Sequence, residues 1–129
     1  MRVLLRWLPA LAVFATIYWF SDQPTWPDAM VGQPDWLLHG AAYALLGVTI
    51  CFGLGGPLRR PLSLRRVGLA WLLVIVAGGF DEIHQSFIEG RDAAVMDVVA
   101  DAVGGLAGLL VAQWAAFAGK RTSWEHPRS

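Results

Sequence analysis

Charge and cysteine are both scarce in this chain. Charged residues fill 16% of its 129 positions and hydrophobic ones 56%, a balance that does not suit the solvated surface of an ordinary soluble domain. The one cysteine, Cys51, excludes an intramolecular disulfide. Strand-like alternation, internal repeats and low-complexity tracts are absent, and no Cys/His spacing of the zinc-binding kind occurs. Ten basic and ten acidic residues cancel to a net charge of zero, but they are sorted along the chain, so the cancellation says nothing about partners. The Arg-rich stretch at 59–66 is accounted for as topogenic charge, and no nucleic-acid partner is expected.

What the chain does have is long apolar runs, at residues 3–20, 36–54, 67–88 and 93–117. Each approaches the ~20 residues that a helix needs to cross the hydrocarbon core of a bilayer. The expected architecture is therefore all-α: an integral membrane four-helix bundle forming one domain over 1–129. A cleaved signal peptide is the rival reading of the first run. The sequence Ser21-Asp22-Gln23-Pro24 that follows it is not a small-x-small cleavage site, so the run is read as a retained helix.

The basic residues predict an orientation. Arg2 and Arg6 precede segment one; Arg59, Arg60, Arg65 and Arg66 separate segments two and three; Lys120, Arg121 and Arg128 follow segment four. Only Arg91 falls on the other side. The positive-inside rule then places both termini of a multi-pass protein in the cytoplasm. Trp19, Trp26 and Trp36 fall at the expected outer interface and Trp7, Trp71, Trp114 and Trp124 near the inner one, as an aromatic belt would. Asp22, Asp28, Asp35, Glu89 and Asp92 are read as outer-loop charges.

Segment three ends Asp81-Glu82-Ile83-His84-Gln85, and segment four carries Asp97 and Asp101. Ionisable groups inside spanning helices are costly and usually mark function. Helical spacing puts His39, Tyr43 and Gly47 on one face of segment two, Gly78, Asp81 and Gln85 on one face of segment three, and Asp97, Asp101, Gly104 and Gly108 on one face of segment four. The stripe Ala100-x3-Gly104-x3-Gly108-x3-Ala112 permits close helix approach and turns the acids into the bundle. At 1.5 Å per residue these groups share a layer roughly 5–12 Å below the outer surface. Arg91, in the hairpin Glu89-Gly90-Arg91-Asp92, is placed to fold over that layer as a cationic lid. Several carboxylates in one apolar pocket need retained protons, His39, His84 and Arg91 as counter-charges, or a bound cation.

At these residues the chain resembles the VanZ-like family of bacterial membrane proteins. Four motifs carry the resemblance: Phe20-Ser21-Asp22-Gln23-Pro24; Asp35…His39…Tyr43…Leu46-Gly47; Asp81-Glu82-x-x-Gln85-x-Phe87-x-x-x-Arg91; and Asp97-x-x-x-Asp101-x-x-Gly104-x-x-x-Gly108. Two positions depart from the family pattern. Trp36 stands where a basic residue often follows the aspartate, and Asp101 stands where asparagine is common, which adds a negative charge. The resemblance implies a small polytopic membrane protein, and the family's name-giving member is associated with glycopeptide resistance. It implies no particular reaction.

Three functions fit these residues. The first is an enzyme acting on a membrane lipid or a lipid-linked envelope precursor. His39, Asp81 and Asp97 would be its catalytic groups, and Tyr43, Glu82, Gln85, Arg91 and Asp101 its substrate contacts. Magnesium or calcium could sit among Asp81, Asp97 and Asp101, although the spacing specifies no metal. The second is non-catalytic recognition of lipid headgroups or amphipathic glycopeptide antibiotics. The third is ion-coupled transport, for which four helices make so thin a pore that a homodimer would be needed.

Overall fold

The computed structural model describes residues 2–25, 31–55, 60–91 and 94–125. Trp26, Asp28, Arg59 and Asp92 lie outside the described residues, as do Arg128 and the side chains of Arg2, Lys120, Arg121 and Trp124. The chain forms α1 (Arg2–Leu5), α2 (Leu8–Ser21), α3 (Asp35–Gly55), α4 (Leu64–Gln85) and α5 (Val95–Glu125). Among the described residues, four stretches are long and apolar enough to cross a membrane: Val3–Ser21, Asp35–Gly55, Leu64–Gln85 and Val95–Gly119.

The first expected helix is broken in two by Pro9. Its ring carries no N–H and crowds the carbonyl four residues earlier, so proline is tolerated only in the first turn of a helix. The chain therefore makes a tight turn, with Arg6 N–H donating to Val3 O (3.2 Å) and Trp7 N–H to Leu4 O (3.0 Å). Helix α2 then restarts from Trp7 with proline in its first turn. The third segment, expected to run to residue 88, stops at Gln85; Ser86 caps it, and Phe87 and Ile88 close turns on His84 and Gln85. Gly90, at φ 88°, lets the chain reverse toward α5.

With lipid outside, apolar burial drives helix association weakly, and close packing of backbones replaces it. The most extensive interface joins α3 to α5. A Cβ on Gly104 would run into the Gly40 carbonyl, one on Gly108 into the Ala44 carbonyl, and one on Gly47 into the Gly105 carbonyl. The expected small-residue stripe is therefore a real seam, and it is continued by Ala112, which is buried. Helix α4 lies against α5 beside this seam, with Val74 over Gly105. Buried Tyr43, Leu46, Ile50, Cys51, Ala70, Val74 and Leu109 fill the centre.

Helix α2 is held more loosely. It buries only Ala10, Ile17 and Ser21, and it leans on α3 and, less closely, on α4. Thr16, on the side facing the gap between α2 and α3, returns its hydroxyl to the Ala12 carbonyl (2.9 Å), which satisfies it without a tertiary partner. The exposed Trp71 ring is also tied to the bundle, its indole N–H donating to the Ala102 carbonyl on α5 (3.0 Å). The bundle is polarised along its length. The buried polar residues Ser21, His39, Asp81, Glu82, Gln85, Asp97 and Asp101 gather where α2 and α4 end and α3 and α5 begin. This is the acidic end; Arg60, Arg65 and Arg66 mark the opposite one.

Candidate functional site

Each helix delivers its polar groups through its register. His39 and Tyr43 sit one turn apart on α3, Asp81 and Gln85 on α4, and Asp97 and Asp101 on α5, so each pair faces the same way. The glycine seam draws α5 against α3 and brings His39 Nδ1 to 3.0 Å from Asp101 Oδ1. Both side chains are almost fully buried, at 4% and 1% exposure. With Asp101 ionised, Nδ1 carries the ring proton and donates it, which fixes the tautomer and leaves Nε2 as the basic nitrogen. The other Asp101 oxygen rests on Gly78, where an added Cβ would sit 2.8 Å from it. Glycine at 78 is what makes room for the aspartate.

A second group forms around Asp81. Ser21 Oγ donates to Asp81 Oδ2 (2.8 Å), and Gln85 Nε2 reaches both Ser21 Oγ and Asp81 Oδ2 at 3.2 Å. Tyr43 lies between the two groups, fully buried and within the electrostatic reach of Asp81, Asp101 and Glu82. Glu82 Oε1 accepts the backbone N–H of Ala94, just before α5. Glu82 is thereby turned inward and 8% exposed, rather than directed at headgroups. Four buried atoms here have no hydrogen-bond partner among the described residues: Tyr43 Oη, Asp81 Oδ1, Glu82 Oε2 and Asp101 Oδ2. Native proteins rarely leave buried polar atoms unsatisfied, so such a concentration calls for a ligand, ion or water.

Two expectations change in detail. Arg91 does fold over the acidic end, but its Nε donates to Gln23 O and its Nη2 to Phe20 O, both at 3.0 Å. It thus caps the carbonyls that close α2, where a cation also suits the helix dipole. It still acts electrostatically on Asp97. The carboxylates that converge on one point are also a different set from Asp81, Asp97 and Asp101. Asp35, His39 and Asp97 each offer a ligand atom, and these atoms lie within 4.8 Å of one another.

Sequence reasoning overlooked two members. Ser21 was noted only within the stretch after the first segment, yet it bridges α2 to Asp81. Nothing local to a serine at a helix end announces that partner. Asp35 was read as a loop charge, although it opens α3 one turn before His39, and that i, i+4 spacing was a usable signal. His84 takes part in a separate contact nearer the surface. Its ring stacks on Tyr18 at 4.4 Å, with Nδ1 3.3 Å from Tyr18 Oη and Nε2 3.3 Å from Asp22 Oδ1.

Beside the site, a cavity of about 420 Å³ opens between α2 and α3. This is within the ~300–1,000 Å³ range of small-molecule pockets. Its walls are apolar, with Val13, Ile17, Leu38 and Leu45 among them, and it is also lined by Ser21, His39, Tyr43 and Asp81.

An all-helical bundle with four membrane-length apolar helices and an acid–histidine site at one end defines a small polytopic membrane protein. The chain belongs to the VanZ/LLP1 family, whose family model matches residues 3–116. No curated protein and no solved structure matches it.

Proposed function

We propose that the protein acts on a membrane lipid or lipid-linked envelope precursor drawn sideways into the α2–α3 groove. The observation that carries this reading is the make-up of that groove: apolar walls together with Tyr43 and Asp81, each with a buried atom lacking a partner. An alkyl chain suits the walls, and the polar linkage of a lipid suits those atoms. The Tyr43 hydroxyl is a donor for an ester or phosphate oxygen. His39, oriented by Asp101, is the general base; Asp81 is the second acid–base group. In this reading His39 activates a water molecule as the nucleophile. The sorting of arginines supports an acidic end facing the outside of the inner membrane, with both termini cytoplasmic.

Recognition of a lipid without chemistry is the second reading, favoured by the hydrogen bonds from Ser21 and Gln85 that already hold Asp81 Oδ2. Ion-coupled transport is supported less, because the buried polar residues collect at one end while Leu46, Ile50, Leu109 and Ala112 fill the core beyond them.

The test is mass spectrometry of a bacterial lipid extract incubated in nanodiscs with the wild-type protein or with Asp81→Asn. A new headgroup or lysolipid species made only by wild type is the expected outcome and names the substrate class. An unchanged lipid pool, with one lipid class retained by wild type and lost from the variant, replaces catalysis with recognition.

A further inference from the structure

The acidic end gathers carboxyl groups from three helices around one histidine. Asp97 and Asp101 are buried at 4% and 1% exposure, Glu82 at 8%, and Asp35 is half-buried at the start of α3. The cationic groups acting on Asp97 are His39 and Arg91, and Arg91 already donates to two backbone carbonyls. A cation placed among buried carboxyl groups stabilises their ionised form.

The geometry supplies a place for one. The ligand atoms of Asp35, His39 and Asp97 lie within 4.8 Å of one another, two from successive turns of α3 and one from α5 across the glycine seam. Side-chain rotations of well under an ångström bring three atoms within that spacing to the roughly 2.0–2.2 Å ligand distance of a transition-metal ion. An independent feature points the same way. Glu82 comes from a third helix and its Oε2 is buried without a partner, while its carboxylate feels Asp97, His39 and Asp101. The Ala94 N–H holds its other oxygen. Asp101 lies behind His39 on the ring's Nδ1 side, in the position of the carboxylate that orients a metal-bound imidazole.

We infer that Asp35, His39 and Asp97 bind one divalent transition-metal cation, with Glu82 as the adjoining carboxylate. One imidazole and carboxylate oxygens suit zinc or manganese, while soft thiolate-seeking ions lack their ligands here. The site is anchored on α3 and α5, the most closely packed helices, and Asp101 is its outer support. A bound ion occupies the His39 Nε2 that the lipid reading uses as a base, leaving Asp81 as the acid–base group of that reading. Binding of the ion itself does not require a lipid in the groove.

The test uses the full chain in nanodiscs, stripped with a chelator and then titrated with Zn²⁺ or Mn²⁺ alone, with metal per chain and affinity both measured. The expected result is one ion per chain. Asp35→Asn should weaken binding at least ~10–100-fold, while Asp22→Asn, at an exposed acid of the same end, should leave it unchanged. Because Asp35 is half-buried at a helix start, its amide variant should fold. Co²⁺ substitution gives a second readout, with visible bands that shift in His39→Gln. Absence of saturable binding by either ion, or wild-type affinity in Asp35→Asn, overturns the inference. Lipid turnover plays no part in the readout, so failure here is separate from failure of the functional reading.

Discussion

Helix α3 meets α5 through touching backbones and meets α2 across a cavity. On the first side, Gly47 lies against the Gly105 carbonyl, and the Gly40 and Ala44 carbonyls lie against Gly104 and Gly108. On the second side, Ala41 and Leu45 line open space opposite Ala12 and Thr16. Both faces are apolar and rich in small residues, so composition does not separate them. The difference lies in what small residues achieve when a partner is close and when it is not: dense packing on one side, room for a ligand on the other. The site sits where the two faces meet. His39 and Tyr43 therefore have a rigid backing on one side and line the cavity on the other.

The contrast can be broken most severely at its polar hinge. Asp101→Ala leaves His39 buried without its carboxylate. Removing the carboxylate of a buried charge-assisted hydrogen bond costs about 1.5–3 kcal/mol, whereas an ordinary interhelical hydrogen bond in a membrane contributes about 0.6–2 kcal/mol. Because both groups are ionisable and fully packed, the larger figure should apply to Asp101→Ala. Asp101→Asn, which keeps an acceptor for Nδ1–H, should show only the smaller one. Thermal unfolding in detergent compares the two, and equal losses would mean that the pair is an ordinary hydrogen bond.

Next comes the packed face. Gly47→Leu places a side chain against the Gly105 backbone, which has no rotamer to yield, and should cost at least the ~1–3 kcal/mol of an overpacked core. An unaltered melting temperature would show that the seam can open. The smallest expected effect on stability belongs to the open face of the same helix. Ala41→Leu fills part of the groove and should change stability by less than ~0.5 kcal/mol, while lowering the lipid retained through purification. A stable variant with undiminished lipid would move the binding surface away from the α2–α3 face.

The sequence carried the larger features because they are one-dimensional. Four apolar runs, the seam at Gly104 and Gly108, and the inward faces of Asp81, Asp97 and Asp101 all follow from hydropathy and from a helix repeat of 3.6 residues. Pro9 was visible too, but its effect depended on where helix α2 would otherwise have begun. Pairings were not legible in the same way. That Ser21 would find Asp81, and that Arg91 would cap Phe20 and Gln23, depends on the rotation and tilt of α2 against α4. Nothing within α2 fixes those.

The chain by itself thus determined a membrane-spanning helical bundle of the VanZ/LLP1 family and the end of it at which its acids collect. Hydropathy and periodicity are local properties that the bilayer converts directly into helices. The tertiary structure decided which acid serves which partner: Asp101 for His39, Asp81 for Ser21 and Gln85, Asp35 beside Asp97. Contacts between helices are set by shape, and here by the absence of a Cβ at Gly78, Gly104 and Gly108. A missing atom specifies how close two backbones come only once both are in place.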